Sequence, residues 1–163
     1  MEIKIPARSL GVRQFPNGLR IKTSSRLLIQ DTGGDIWKGS IGLLAHLQAD
    51  VGSDNLKGMK ILEISSGTGA LGLCLSLLGA SVMMTDLPSM IPLIEENTEL
   101  NSDLLKGCNW AVQALDWRDL CLPTAIQDFG PYDLVIASDG AAKPARNSGL
   151  GPRILMHSFA SVV

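Results

Sequence analysis

The chain has 163 residues, 45% hydrophobic and 18% charged, with a formal net charge of −2. That profile is expected of a soluble globular protein with one domain and a buried core. Lys and Arg are scattered and form no basic stripe, which argues against electrostatic binding of nucleic acid or an anionic membrane and favours a compact or peptide-like partner. Cys74, Cys108 and Cys121 are odd in number and lack a close pair or neighbouring His, so neither a disulfide framework nor a metal site is expected. Residues Met1 to Pro6 carry no apolar signal core. The longest apolar run, Leu71 to Leu78, is too short for a bilayer core of about 30 Å. A cytoplasmic location is expected, with the nucleus also open.

In chain order, Leu19 to Lys22 and Arg26 to Gln30 read as two short strands around the polar Thr23-Ser24-Ser25 turn, a lid or edge hairpin. Apolar residues at helical spacing from Ile36 to Leu47 predict a helix that Gly52-Ser53 ends. An alternation follows. Lys60 to Ile64 is strand one, and Leu71 to Leu78 is a largely buried helix that Gly79 stops. Ser81 to Thr85 is strand two. Ser89 can cap a helix from Met90 to Leu100, because Pro92 then falls in the first turn, where its missing N–H costs no bond. Trp110 to Leu115 is strand three and Tyr132 to Ser138 strand four. This order implies an α/β fold with a parallel sheet and flanking helices. Gly140 to Pro152 is a run of breakers, and within Ile154 to Val163 one short helix or strand is possible.

Gly67-Thr68-Gly69-Ala70-Leu71-Gly72 matches G-x-G-x-x-G, a loop that lets backbone N–H groups approach a ligand at a helix start. Asp86, closing strand two, is placed to take ribose hydroxyls. Glu63, four residues before Gly67, separates two readings. Its carboxylate would repel a pyrophosphate but would suit a cofactor carrying an amino group and a sulfonium.

Glu63-Ile64-Ser65-Ser66-Gly67-Thr68-Gly69 resembles the first motif, E-[LIV]-G-[AS]-G-T-G, of the seven-strand S-adenosylmethionine-dependent methyltransferases, in their protein-lysine branch called family 16. Ser65 stands where that motif has its first glycine, a position that favours a residue without a Cβ if φ is positive there. Thr85-Asp86-Leu87-Pro88 with Leu93, Asn97 and Asn101 is similar to the family's T-D segment, which is followed by L-x-x-x-N-x-x-x-N. Leu115-Asp116-Trp117 resembles the family's exit from strand three, and Gly34-Asp35-Ile36-Trp37 its segment of a glycine followed by [VIL]-W. Together these span residues 19 to 139.

The resemblance implies a Rossmann-like methyltransferase fold in a single domain: an N-terminal hairpin and helix (1–58), a cofactor-binding core (59–139) and an atypical tail (140–163). It implies S-adenosyl-L-methionine as cofactor, held by Trp37, Glu63, Ser65, Ser66, Gly67, Gly69, Asp86, Trp117 and Ser138, and a lysine side chain of a protein as methyl acceptor. Asp139 is the catalytic candidate, orienting the amine for in-line attack. The family continues with D-x-x-Y, whereas this chain reads Asp139-Gly140-Ala141-Ala142. Only 24 residues follow Asp139, too few for three further strands and their helices at about five to six residues per strand. A truncated form with weak or no activity is therefore expected, its sheet incomplete at the C-terminus and strand four an exposed edge. Two other classes stay open: a non-catalytic, methyltransferase-derived protein-interaction module, and an NAD-dependent oxidoreductase, which Glu63 disfavours.

Overall fold

The computed structural model describes residues 11–27, 33–116, 118, 121–138 and the backbone of 154–157. Its elements are β1 (Val12–Gln14), β2 (Arg20–Lys22), α1 (Lys38–Leu47), a π-helical turn (Gln48–Gly52), α2 (Ser53–Leu56), β3 (Lys60–Ile64), α3 (Ala70–Leu77), β4 (Ser81–Asp86), α4 (Ile91–Leu100), β5 (Asn109–Ala114), α5 (Thr124–Phe129), β6 (Leu134–Ser138) and β7 (Ile154–His157).

Five strands form one sheet in the order β5-β4-β3-β6-β7, with every neighbouring pair parallel. The central strand β3 is covered on both faces, which is why Ile61 and Leu62 are adjacent in sequence and both fully buried. On one face α3 packs against the sheet and against α1, which also meets β6. Every α3 residue from Ala70 to Ser76 is buried, consistent with a helix apolar on all sides. The helix ends where Gly79 takes φ 90°. There the Gly79 N–H donates to Ser76 O and the Ala80 N–H to Leu75 O, a glycine-dependent cap that turns the chain directly into β4. The other face carries a smaller cluster of Leu62, Met83, Leu115, Ile126 and Val135.

Several expectations change. The hairpin pairs Val12↔Lys22, Arg13↔Ile21 and Gln14↔Arg20, turning at Phe15–Gly18, where Gly18 has φ 89°. The expected partner strand, Arg26 to Gln30, does not form as read: residues 25–27 are helical, and Leu28 to Gln30 lie outside the described residues. The first helix starts at Lys38 rather than Ile36 and passes through the π-helical turn before the run breaks at Gly52, φ 84°, where the sequence places its end. Met90, not Ser89, occupies the N-cap of α4, and Pro92 lies in the first turn as expected. A crossover helix, α5, stands between β5 and β6 where no helix was read. Strand four is not an edge: β7 pairs with it from Val135↔Ile154 to Ser138↔His157, so its outer backbone groups find partners and need no solvent or second chain.

Candidate functional site

The carboxyl ends of β3, β4 and β6 open on one side of the sheet, and the chain leaves β3 toward β4 but reaches β6 on the opposite flank. That reversal is the topological switch point at which α/β sheets bind ligands. Most of the sequence candidates that fall among the described residues gather there.

The loop after β3 is held by β4. The Ser66 N–H donates to Thr85 O at 3.0 Å, Ser66 Oγ accepts from the Thr85 N–H at 3.1 Å, and Thr85 Oγ1 donates to Glu63 O at 2.7 Å. Asp86 fixes the loop from the neighbouring strand end. Its Oδ2 accepts the Gly67 N–H at 2.7 Å and its Oδ1 the Leu87 N–H at 2.7 Å.

The glycines have separate reasons. Gly67 and Gly69 take φ 58° and 76°, and a Cβ on Gly67 would sit 3.1 Å from Gly33 O. At Gly72 the constraint is packing, since a Cβ would lie 2.5 Å from Met84 Cγ and 2.6 Å from Glu63 Oε2. Ser65 stands in the left-handed region at φ 59°, the only non-glycine residue to do so among the described residues. The position does require the conformation for which the family motif uses glycine.

Glu63 lies beneath this loop, 1% exposed. Burial pushes its carboxyl up to about 8; hydrogen bonds from the Ser66 side chain and the Gly72 backbone oppose the rise, and the nearby Asp86 charge adds to it. Its Oε2 has no hydrogen-bond partner among the described residues. A buried, unpaired carboxyl oxygen next to a second strand-end carboxylate is an acceptor set for a cationic group, and it fits the ammonium and sulfonium of S-adenosylmethionine better than a pyrophosphate.

α1 meets the carboxyl end of β6. Trp37 is its N-cap residue and 38% exposed, and one turn on, Ser40 Oγ lies 2.9 Å from Ser138 Oγ at the end of β6. Trp117 and Asp139 lie outside the described residues. Asp116, beside Trp117, forms an exposed ion pair with Arg118 whose hydrogen bonds hold it down near 2. Among the described residues no group of three or more His, Cys, Asp or Glu is placed to hold a metal.

Sequence reading missed two supports. The first is a buried ion pair, Arg13 Nη2 to Asp35 Oδ1 at 2.6 Å, signalled only by a charged residue at the inward position of a strand. The second is the pair Asn97 and Asn101, named in the motif without a role, whose side chains bind the backbone of β2. Their spacing of four places both on one face of a helix.

An open parallel sheet with a glycine turn and a strand-end carboxylate at its switch point defines an α/β protein of the nucleoside-cofactor-binding class. The family model for lysine methyltransferases matches residues 16–142, and the chain belongs to that family. It is 31% identical over 110 residues to the bovine protein-lysine methyltransferase METTL21E, covering 66% of this chain and 37% of that protein. It is 30% identical over 106 residues to the zebrafish (Danio rerio) protein N-lysine methyltransferase METTL21A, covering 64% and 45%. The chain thus spans less than half the length of these curated relatives. Among solved structures, a Plasmodium falciparum protein assigned as a protein-L-isoaspartate O-methyltransferase, in complex with S-adenosyl-L-homocysteine, superposes with TM-score 0.50 at 15% identity, covering 66% of this chain and 52% of that one. The fold is the Rossmann-like fold of S-adenosylmethionine-dependent methyltransferases.

Proposed function

We propose that this chain is an S-adenosylmethionine-dependent protein-lysine N-methyltransferase domain. The observation that carries the reading is the buried Glu63 carboxyl with its unpaired Oε2 under the glycine loop, one strand away from Asp86. Family membership and the lysine methyltransferases it matches support the reaction class. They do not favour the interaction module or the oxidoreductase.

When bound, S-adenosylmethionine would supply a methyl group activated by its sulfonium. Glu63 and Asp86 would hold it, Glu63 acting on the cationic amino-acid end and Asp86 on the ribose, with Ser65, Ser66, Gly67 and Gly69 supplying close backbone. Trp37, Trp117 and Ser138 would line the remaining walls. Asp139, next in sequence to Ser138, would accept a hydrogen bond from a neutral lysine amine and aim its lone pair. Holding the reactants in line is most of what the protein contributes, up to about 7–11 kcal/mol in favourable cases. The proposed setting is cytoplasmic, and the acceptor a protein rather than nucleic acid or lipid.

The test is incubation with a methyl-labelled donor and protein extract, followed by amino-acid analysis. Label in methyl-lysine that disappears with Asp86→Ala is the expected result. Label found only in carboxyl esters or nucleic acid would contradict the proposed acceptor.

A further inference from the structure

β2 presents one edge to β1 and the other to α4, where in place of a third strand it meets two side chains. Asn101 Oδ1 accepts the Arg20 N–H at 2.8 Å and its Nδ2 donates to Arg20 O at 2.6 Å. One turn earlier, Asn97 Oδ1 accepts the Lys22 N–H at 2.7 Å and its Nδ2 donates to Lys22 O at 3.0 Å. Two carboxamides on one helix face thus satisfy four backbone groups of an edge strand. Asn97 does one thing more: its Nδ2 also donates to Thr68 O at 2.9 Å. Both asparagines are buried, Asn97 completely.

Thr68 lies between two glycines of positive φ, the most permissive part of the loop. A bond that fixes its carbonyl removes freedom where the backbone has most, and it bears on Gly67, whose N–H binds Asp86. The hairpin reaches the same loop a second way. The Ser24 N–H donates to Gly34 O at 2.8 Å and Arg13 grips Asp35, which seats the Gly33 carbonyl over Gly67.

We propose that Asn97 is a positioning residue through which the N-terminal hairpin (residues 12–22) sets the conformation of the glycine loop, so that hairpin and cofactor site order each other. The inference rests on the cofactor reading above for its ligand, but the coupling itself is a property of the chain. Asn101 makes the matching contact to β2 without touching Thr68 and is the internal control. Its Nδ2 also donates to Asn97 O at 2.7 Å, so its truncation loosens the hairpin and the end of α4 but leaves the bond to Thr68 O in place.

The experiment compares Asn97→Ala and Asn101→Ala in the full chain by thermal unfolding, by titration with S-adenosylhomocysteine and by hydrogen exchange. Both variants lose stability. Asn97→Ala is expected to bind S-adenosylhomocysteine about tenfold more weakly and Asn101→Ala no more than about threefold, the scale of one net hydrogen bond. Equal losses of affinity in the two variants would overturn the proposal. Should either variant fail to fold, the wild-type protein decides: S-adenosylhomocysteine must slow exchange in residues 19–23 as well as 65–69, and protection confined to the loop refutes the coupling. If the wild type binds no S-adenosylhomocysteine, the cofactor reading fails separately. The coupling then stands or falls on whether the Gly67 and Gly69 amides exchange faster in Asn97→Ala than in Asn101→Ala without ligand.

Discussion

Replacing Glu63 with Gln should stabilise the protein, and increasingly so as the pH rises. The native carboxyl titrates near 8 against an ordinary value of 4.5, chiefly because it is buried. A native pKa above the unfolded one means that the folded state binds the extra proton between these values, so wild-type stability falls as pH rises through that window. Below about pH 4.5 both states are protonated and Glu63 contributes no penalty. At about 1.4 kcal/mol per pH unit, the penalty reaches on the order of 3 kcal/mol at pH 7. Gln carries no charge to desolvate. Urea unfolding of both proteins between pH 5 and 8.5 should show the difference in unfolding free energy widening with pH, with a melting-temperature gap on the order of 10 °C at neutral pH. The same substitution should weaken S-adenosylmethionine binding, since a cationic ligand would draw Glu63 into its ionised form. Titrations in buffers of different ionisation enthalpy should accordingly show the wild type releasing a proton on binding and the variant not. Parallel pH dependences in the two proteins would refute the reasoning.

Ser65→Gly relieves a left-handed conformation that costs a non-glycine residue about 1–2 kcal/mol, partly offset by the greater unfolded freedom of glycine. A net gain of about 0.5–1 kcal/mol in urea unfolding is expected, and a loss would show that the Ser65 side chain contributes more than its strain. Gly72→Ala places a methyl 2.5 Å from Met84 Cγ and 2.6 Å from Glu63 Oε2; despite better helix propensity it should cost about 1–3 kcal/mol, and an unchanged melting temperature would disprove that packing. Asp35→Ala strands Arg13, which is 4% exposed and already has an unpaired Nε, and should cost about 3 kcal/mol. Adding Arg13→Met should restore more than half of that loss. A double variant no better than Asp35→Ala would rule out the stranded charge as the cause.

The nucleotide-binding core was legible because its residues face only one kind of environment. β3 and β4 are buried on both faces, so apolar residues stand next to one another in Ile61-Leu62 and Val82-Met83-Met84, and Gly79 marks a helix end that only glycine makes cheaply; their bounds shift by a residue at most. The hairpin is hard to place because its strands have three residues each, and the turn signal Pro16-Asn17-Gly18 competes with the polar run at Thr23 to Ser25. α5 buries Ile126 alone among its six residues, so it has no periodicity to detect. Within the site, Glu63 and Asp86 could be named from their places at strand ends. The contacts of Arg13, Gly33, Ser40 and Asn97 join residues as many as 98 positions apart, and only the folded chain brings them together.

Whether Glu63 and Asp86 together hold S-adenosylmethionine is decided by calorimetric titration of the folded wild-type chain with S-adenosylhomocysteine. Saturable one-to-one binding that falls at least tenfold in Asp86→Ala is expected. A folded wild type that neither binds nor gains thermal stability at millimolar S-adenosylhomocysteine would contradict it.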